Sequence, residues 1–414
     1  MPHAGMTPET PTPGRFFEPY DRDACEECGR CLMNCPVMGL DEAGARAEMR
    51  AMRGGGAGKH VLRRCESCFA CNLVCPNQAN PAQLFIERFR GEYRSRGMPR
   101  RALHFQPHEE ENFRTYVIRR LPADEKRTLK RWADTSPCEE FAYPGCNMCT
   151  SPYLAGAGFL KDLNIRGAPE YCCGEMYYRT GMFDRLEESA ARLNLFLEKL
   201  RAKRMMVLCN AGYNMFTNVL PRFGLKAEVQ VTSFLPWLWE RIEGGEIRIE
   251  RRLGMSATIQ DSCYGKVLGE AYYSLPRKIL ERLGVEVREM AHAKECSYCC
   301  GIGGGFPPGR MYHPYWIGRA TVRSVMEARR TGADAVVTYC AGCLQTLCSG
   351  MALLPALRKP AYHVFQLVQM AAGEAPVNRN LSRGAMFVRG VLVRQTPMML
   401  RGGSVKGRPI TKTP

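Results

Sequence analysis

The pattern of hydrophobic and polar positions changes texture several times along the chain. Residues 1–19 are rich in Pro and Thr, show no apolar period, and read as a disordered tail. Residues 25–75 are dense in cysteine, and residues 80–135 carry helical periodicity with many Arg and Lys and no cysteine. From about residue 138 short apolar runs, such as 205–209 and 335–340, read as strands alternating with amphipathic helices. Residues 183–200 are one such helix, with Leu186, Ala190, Leu193 and Leu197 on one face. Trp237 and Trp239 fall in an apolar helical stretch and read as core. Residues 376–414 hold eight Arg or Lys and no acid. They read as a mostly disordered basic tail, with 386–393 and 398–400 apolar enough to dock on a partner.

The α/β portion repeats itself. YPGC ending at Cys146, YCCG ending at Gly174 and MMVLC ending at Cys209 are followed by QDSC ending at Cys263, YCCG ending at Gly301 and AVVTYC ending at Cys340. In each copy a cysteine follows a strand, a Cys-Cys-Gly sits in a loop, and a cysteine ends a later strand. Open α/β sheets gather functional groups at the carboxyl ends of their strands, so three loops per copy converge on one place.

Composition narrows the class. The 414 residues are 45% hydrophobic and 24% charged, which suits a globular protein with more than one core. No run of about 18 apolar residues predicts a membrane span, and the N-terminus lacks the basic-then-apolar order of a secretory signal. The expected location is the cytoplasm, at the cytoplasmic face of a membrane. A net charge of +17 favours anionic partners, but no basic motif interleaved with aromatics reads bases, so no nucleic acid is expected. Twenty-one cysteines in tight spacings, without an export signal, point to metal or redox ligation rather than disulfides.

Cys25, Cys28, Cys31, Cys35 and Pro36 form a C-x2-C-x2-C-x3-C-P run, and Cys65, Cys68, Cys71, Cys75 and Pro76 form another. The close triplet wraps one cubane [4Fe–4S] cluster, and the fourth cysteine ligates the other cluster. Cys25, Cys28, Cys31 and Cys75 are therefore assigned to one cluster. Cys65, Cys68, Cys71 and Cys35 are assigned to the second. A zinc ribbon would leave the third cysteine, the x3 gap and the proline without a reason.

The Cys…Cys-Cys-Gly…Cys-x-x-Cys pattern resembles the cysteine-rich domain of heterodisulfide reductases. Joined to an eight-cysteine ferredoxin segment, two such repeats resemble the D-type subunit of heterodisulfide reductase. They also resemble the iron–sulfur subunit of the dissimilatory sulfite-reduction membrane complex. Iron–sulfur subunits of glycolate oxidase and of anaerobic glycerol-3-phosphate dehydrogenase are more distant relatives. The resemblance implies an α+β chain: a helical ferredoxin-type domain at 20–135, then two α/β Cys-Cys-Gly domains at 138–250 and 251–372 related by pseudo-two-fold symmetry. The second repeat matches fully at Cys263, Cys299, Cys300, Gly301, Cys340 and Cys343. The resemblance implies that these five cysteines hold a noncubane [4Fe–4S] cluster at which a disulfide is cleaved. Gly301 is expected to relieve crowding where backbone approaches the sulfides. In the first repeat Cys146, Cys172, Cys173 and Cys209 match, but Gly212 stands at the fifth position. That repeat reads as structural or as a cleft wall, with Cys149 as an alternative ligand. Cys138, Cys296 and Cys348 stay unassigned.

Other signals are set aside. The glycines of 54–58 miss the Walker spacing and read as a flexible linker between the two ferredoxin motifs. The glycines of 301–305 miss the dinucleotide fingerprint. His313 and Lys294 are candidates to supply a proton to a leaving thiolate. The expected function is an oxidoreductase subunit of anaerobic metabolism, passing electrons through two cubanes to the noncubane cluster to reduce or form a disulfide. A membrane cytochrome b-type quinone oxidoreductase subunit is the expected partner. The alternative is an electron-transfer subunit between a flavoprotein dehydrogenase of glycolate, glycerol-3-phosphate or lactate type and quinone.

Overall fold

The computed structural model describes residues 16–56 and 58–406. Its N-terminal part is helical: Glu42–Gly54 and Pro81–Arg96 form a scaffold for three one-turn helices, Arg30–Met33, Val61–Arg64 and Ala70–Leu73. Met49, Met52, Leu84, Phe85 and Phe89 are buried between them. The expected flexible linker is pinned. Buried Glu48 accepts the backbone N–H groups of Lys59, His60 and Val61 at 2.7–2.9 Å, so the chain enters the second cysteine motif in a fixed direction.

Strand β1, Met98–Pro99, precedes a three-stranded parallel sheet of β2 (Glu140–Tyr143), β3 (Arg204–Val207) and β4 (Gln230–Ser233). A second parallel sheet follows, of β5 (Ser256–Gln260), β6 (Glu286–Val287), β7 (Ala335–Thr338) and β8 (Ala361–His363), in the order β6-β5-β7-β8. β5 and β7 are buried along their whole lengths, as central strands covered on both faces are, β7 through Ala335, Val336 and Val337 and β5 with Ser256, Thr258 and Gln260 buried beside Ala257 and Ile259. The two predicted runs end as strands two residues early. Cys209 and Cys340 leave the sheet in extended conformation and cap the helices Asn210–Asn214 and Ala341–Leu353. The helix Phe183–Leu200 forms as expected, with Leu186, Ala190, Leu193 and Leu197 buried. Each buried leucine contributes about 1.5–3 kcal/mol.

Three expectations change. Trp237 and Trp239 are only partly buried; Phe234, Leu235, Leu238 and Ile242 fill the core instead, and Arg241 lies over the Trp237 ring. Residues 16–19 are not a free tail: Phe16 and Phe17 are buried, and the Phe16 carbonyl accepts from Asn72 and Gln83. Residues 1–15 lie outside the described residues. The basic tail is ordered from 376 to 406. It forms Asn380–Gly390, a π-helical turn Val391–Gln395 and Thr396–Leu400, and ends in β9 (Ser404–Val405), which pairs antiparallel with β1. A Cβ on Gly384 would lie 2.4 Å from the Cys348 backbone, so glycine is what lets this helix cross Ala341–Leu353 closely. Its arginines are matched by acids far back in the chain, Arg394 by Glu111 and Arg383 by Glu125. Among the described residues no helix is long and apolar enough to cross a membrane.

Candidate functional site: three cysteine centres in a row

The two ferredoxin motifs interleave. Cys25, Cys28, Cys31 and Cys75 line one small cavity together with Gly29 and Pro76. Cys35, Cys65, Cys68 and Cys71 line a second, with Cys31 at the boundary between the two. Each cavity thus gathers three cysteines of one motif with the last cysteine of the other. The turns that make this possible begin in the left-handed region, at Gly29 and at Phe69. Backbone N–H groups point at sulfur, from Ala79 to Cys75 at 3.3 Å and from Ser67 to Cys65 at 3.4 Å. Burial, and then the neighbouring thiols Cys75, Cys25 and Cys28, push Cys31 up to about 12. Burial and Cys68 push Cys35 up to about 11. Four thiols gathered on a wall with N–H donors are the donor set an iron cluster's positive charge would turn into thiolates.

The third centre lies where the second sheet ends. β5 delivers Cys263, β7 delivers Cys340, and Cys343 sits one turn into the following helix. Cys299 and Cys300 come from the loop before the helix Pro314–Arg330. The thiols are electrostatically linked in a chain: Cys263 with Cys299, Cys299 and Cys343 with Cys300, and Cys343 also with Cys340. Cys299 first, and then Cys343, pull the Cys300 thiol down to about 5. Gly301 is required for a different reason from the expected one. At φ 126° its Cβ would lie 2.1 Å from Thr321 Oγ1 and 2.6 Å from Thr321 Cα, so the glycine seats the loop on a helix. Gly174 repeats this at φ 73° against Leu186 and Ser189.

In the first repeat the Cys146 and Cys172 sulfurs lie 3.3 Å apart, and Cys173 feels Cys172, Cys146 and Cys209. Cys209 interacts with Cys340 of the second repeat, pulling that thiol well below its ordinary value. A Cβ at Gly212 would sit 3.0 Å from Val207 Cγ1 and 3.7 Å from the Tyr143 ring, so apolar atoms crowd the place of the fifth cysteine. Cys149 is buried in the apolar core with Tyr153 and Leu154, and burial pushes its thiol well up.

A cavity of about 350 Å³ opens on this thiol chain and is lined by Cys209, Cys263, Cys300, Cys340 and Cys343. Phe105, Phe113, Ile317, Phe387, Val391 and Leu392 give it apolar walls, the last three from the ordered tail. Its charged lining side chains, among the described residues, are Glu175 and Arg179. Neither candidate proton donor lines it. The His313 Nδ1 accepts the Tyr315 N–H and caps a helix, and the Lys294 backbone N–H donates to Asp261. Glu175 and Arg179 went unnoticed in the sequence because their signal is only a Glu after Cys-Cys-Gly with an Arg one turn on.

The second ferredoxin cavity touches the third centre. A Cβ on Gly303 would lie 2.6 Å from the Glu66 carbonyl oxygen and 3.0 Å from Cys299 Sγ, and the Gly303 N–H donates to that sulfur at 3.3 Å. The Glu66 carboxylate is buried and accepts from Arg323 at 2.8 and 2.9 Å. The Cys65 loop and the Cys299 loop are therefore in van der Waals contact.

Comparison with known proteins agrees with these centres. A 4Fe-4S dicluster domain matches residues 19–83, and a Cysteine-rich domain, CCG, matches residues 257–348. The chain is 24% identical over 407 residues to an EtfAB:quinone oxidoreductase of Syntrophomonas wolfei, covering 80% of this chain and 55% of that protein. It is 29% identical over 218 residues to the D-type subunit of the dihydromethanophenazine:CoB–CoM heterodisulfide reductase of Methanosarcina barkeri, covering 49% of this chain and 52% of that one. With the Methanosarcina mazei protein of the same name it shares 25% over 378 residues, 79% and 88% of the two chains. The chain thus spans about half the length of the first two of these relatives.

Proposed function

The chain carries a 4Fe-4S dicluster domain and a CCG Cysteine-rich domain and is similar to the D-type subunit of heterodisulfide reductase and to related iron–sulfur proteins; from that premise we propose that it is the iron–sulfur subunit of a redox complex. In this reading Cys25, Cys28, Cys31 and Cys75 hold the outer cubane cluster, and Cys35, Cys65, Cys68 and Cys71 hold the inner one. Cys263, Cys299, Cys300, Cys340 and Cys343 hold a noncubane cluster. Bound clusters supply one-electron storage at each centre. The observation that carries the reading is the contact of the Cys65 loop with the Cys299 loop through Gly303. It gives the three centres an order, with the Cys25 group outermost and the cavity at the far end.

The chemistry proposed for the cavity is reduction, or formation, of a small disulfide. Two electrons and two protons convert one disulfide to two thiols. The chain's own part is to exclude bulk water with Phe105, Phe113, Phe387 and Leu392 and to hold the substrate sulfur near Cys300 and Cys343. A membrane cytochrome b-type quinone oxidoreductase subunit is the proposed partner, at the cytoplasmic face of a membrane.

A second reading has one observation in its favour: the relative aligned over 80% of this chain is named a quinone oxidoreductase for EtfAB. In that reading the chain only conducts electrons between a flavoprotein and quinone. Anaerobically purified chain separates the two. Disulfide cleavage predicts about 12 irons and a third paramagnetic signal that changes when 2-hydroxyethyl disulfide is added to the dithionite-reduced protein. About eight irons and no response to the disulfide would leave conduction alone.

A further inference from the structure

Arg179 stands at the junction of two of the three centres. It ends the short helix Glu175–Arg179 of the first repeat, and its side chain is 2% exposed. Nη2 donates to the Glu66 carbonyl at 2.7 Å, inside the loop between Cys65 and Cys68. Nη1 donates to Glu175 at 3.0 Å and to Cys263 Sγ at 3.4 Å. The Arg179 carbonyl accepts from Ser67 Oγ at 3.2 Å. The guanidinium lies 4.4 Å from the Phe306 ring centre, 5.7 Å from Tyr264 and 5.9 Å from Phe69. Each ring belongs to a different cysteine-bearing loop: Phe69 follows Cys68, Tyr264 follows Cys263, and Phe306 closes the loop begun by Cys299 and Cys300.

A guanidinium stays charged, and burying it is expensive unless it is fully paired. Here the pairing is partial. One carboxylate oxygen answers it, and Nε has no hydrogen-bond partner among the described residues. The strongest remaining match for the charge is sulfur, at Cys263. The first repeat lacks a fifth cysteine of its own, yet it sends this cation into the second repeat's site.

We propose that Arg179 is a positioning residue that sets the reduction potential of the Cys263 centre and ties that centre to the Cys65 loop. The inference rests on the reading that the five C-terminal thiols hold a redox group. An electron reaching that group lowers its charge by one, with no bond made or broken. The fixed positive charge at Cys263 favours the reduced state, and Glu175 offsets part of it. The two side chains therefore act with opposite sign.

The test is a potentiometric titration of the anaerobic full-length protein, following the third paramagnetic signal in Arg179→Met, Arg179→Lys and Glu175→Gln. Arg179→Met should make reduction about tenfold less favourable, which is about 59 mV for one electron. Arg179→Lys should restore most of that shift. Glu175→Gln should move the potential the other way, and the signal of the Cys25 group should not move in any variant. If Arg179→Met fails to load the third cluster, Glu175→Gln decides by its sign. Shifts of the same sign for Met and Gln, or a signal present but unmoved, would overturn the inference alone. A third signal missing from the unsubstituted protein would instead overturn the reading of the site on which it rests.

Discussion

Arg383 and Glu125, 258 positions apart, form a buried ion pair in which Nη2 lies 2.7 Å from both carboxylate oxygens. Their side chains are 3% and 2% exposed. The pair clamps the C-terminal helix to the helix Ala123–Trp132, and that clamp keeps Phe387, Val391 and Leu392 over the thiol cavity. Removing one partner of a buried pair costs about 3–5 kcal/mol when the other charge is left without compensation; Glu125 keeps a second partner in Arg379, so the cost here falls to the low end, about 3 kcal/mol. Arg383→Met should lower unfolding stability by that order in urea titrations, and Arg383→Met with Glu125→Met should recover much of it. A double variant as unstable as the single would show that the pair is not what holds the helix. Removal of residues 376–414 should destabilise the chain in the same assay, since it strips a cavity wall as well.

The contact between the Cys65 and Cys299 loops leaves no room for a side chain at Gly303. Gly303→Val should force the loops apart and cost about 1–3 kcal/mol, the usual penalty for overpacking. Iron content should hold. Electron arrival at the third centre, followed by freeze-quench after rapid mixing with dithionite, should slow. An unchanged rate would mean that the two centres do not communicate through this contact.

The two repeats should respond unequally to the same substitution. Cys300→Ser should remove the third paramagnetic signal and leave the two signals of the ferredoxin motifs. Cys173→Ser should be far milder, because Gly212 offers no sulfur and Val207 crowds its place. If Cys173→Ser also abolishes a distinct signal, and native iron content lies near 16 rather than about 12, then the first repeat holds a cluster of its own.

Acid should destabilise the protein through buried histidines. Burial, reinforced by Arg394, pulls His104 down to about 4, and burial pulls His363 down to about 4. Both are fully buried. An unfolded histidine takes a proton near pH 6.5. Between about 6.5 and 4 the unfolded chain therefore binds protons that the folded chain refuses, and stability falls as pH falls through that window. Above about 6.5 these two residues contribute no slope. The His363 Nδ1 also accepts the Phe365 N–H as a helix cap, an acceptor that protonation removes. Urea midpoints at pH 7.5 and 5 should differ, and His363→Asn, which keeps a capping acceptor, should reduce the difference. An equal difference in that variant would remove His363 from the account.

The 4Fe-4S dicluster domain, the Cysteine-rich domain with its Cys-Cys-Gly loop and the helix Phe183–Leu200 were legible in the sequence because each rests on a local pattern. A C-x2-C-x2-C turn, a 3.6-residue period and a cysteine at a strand end need only a few neighbouring residues to be read. The tail was misread for the complementary reason. Charge and composition favoured disorder, and the partners that order it, Glu125, Glu111 and the Cys348 backbone, lie far away in sequence. Gly301 was expected to face the cluster but is crowded by Thr321, because which side of a glycine is crowded depends on what lies across from it. The tertiary structure alone decided that Cys209 meets Cys340 and that Arg179 reaches both Glu66 and Cys263. Those contacts join residues more than 80 positions apart, through loops whose aim is set by how two sheets and a helical domain pack.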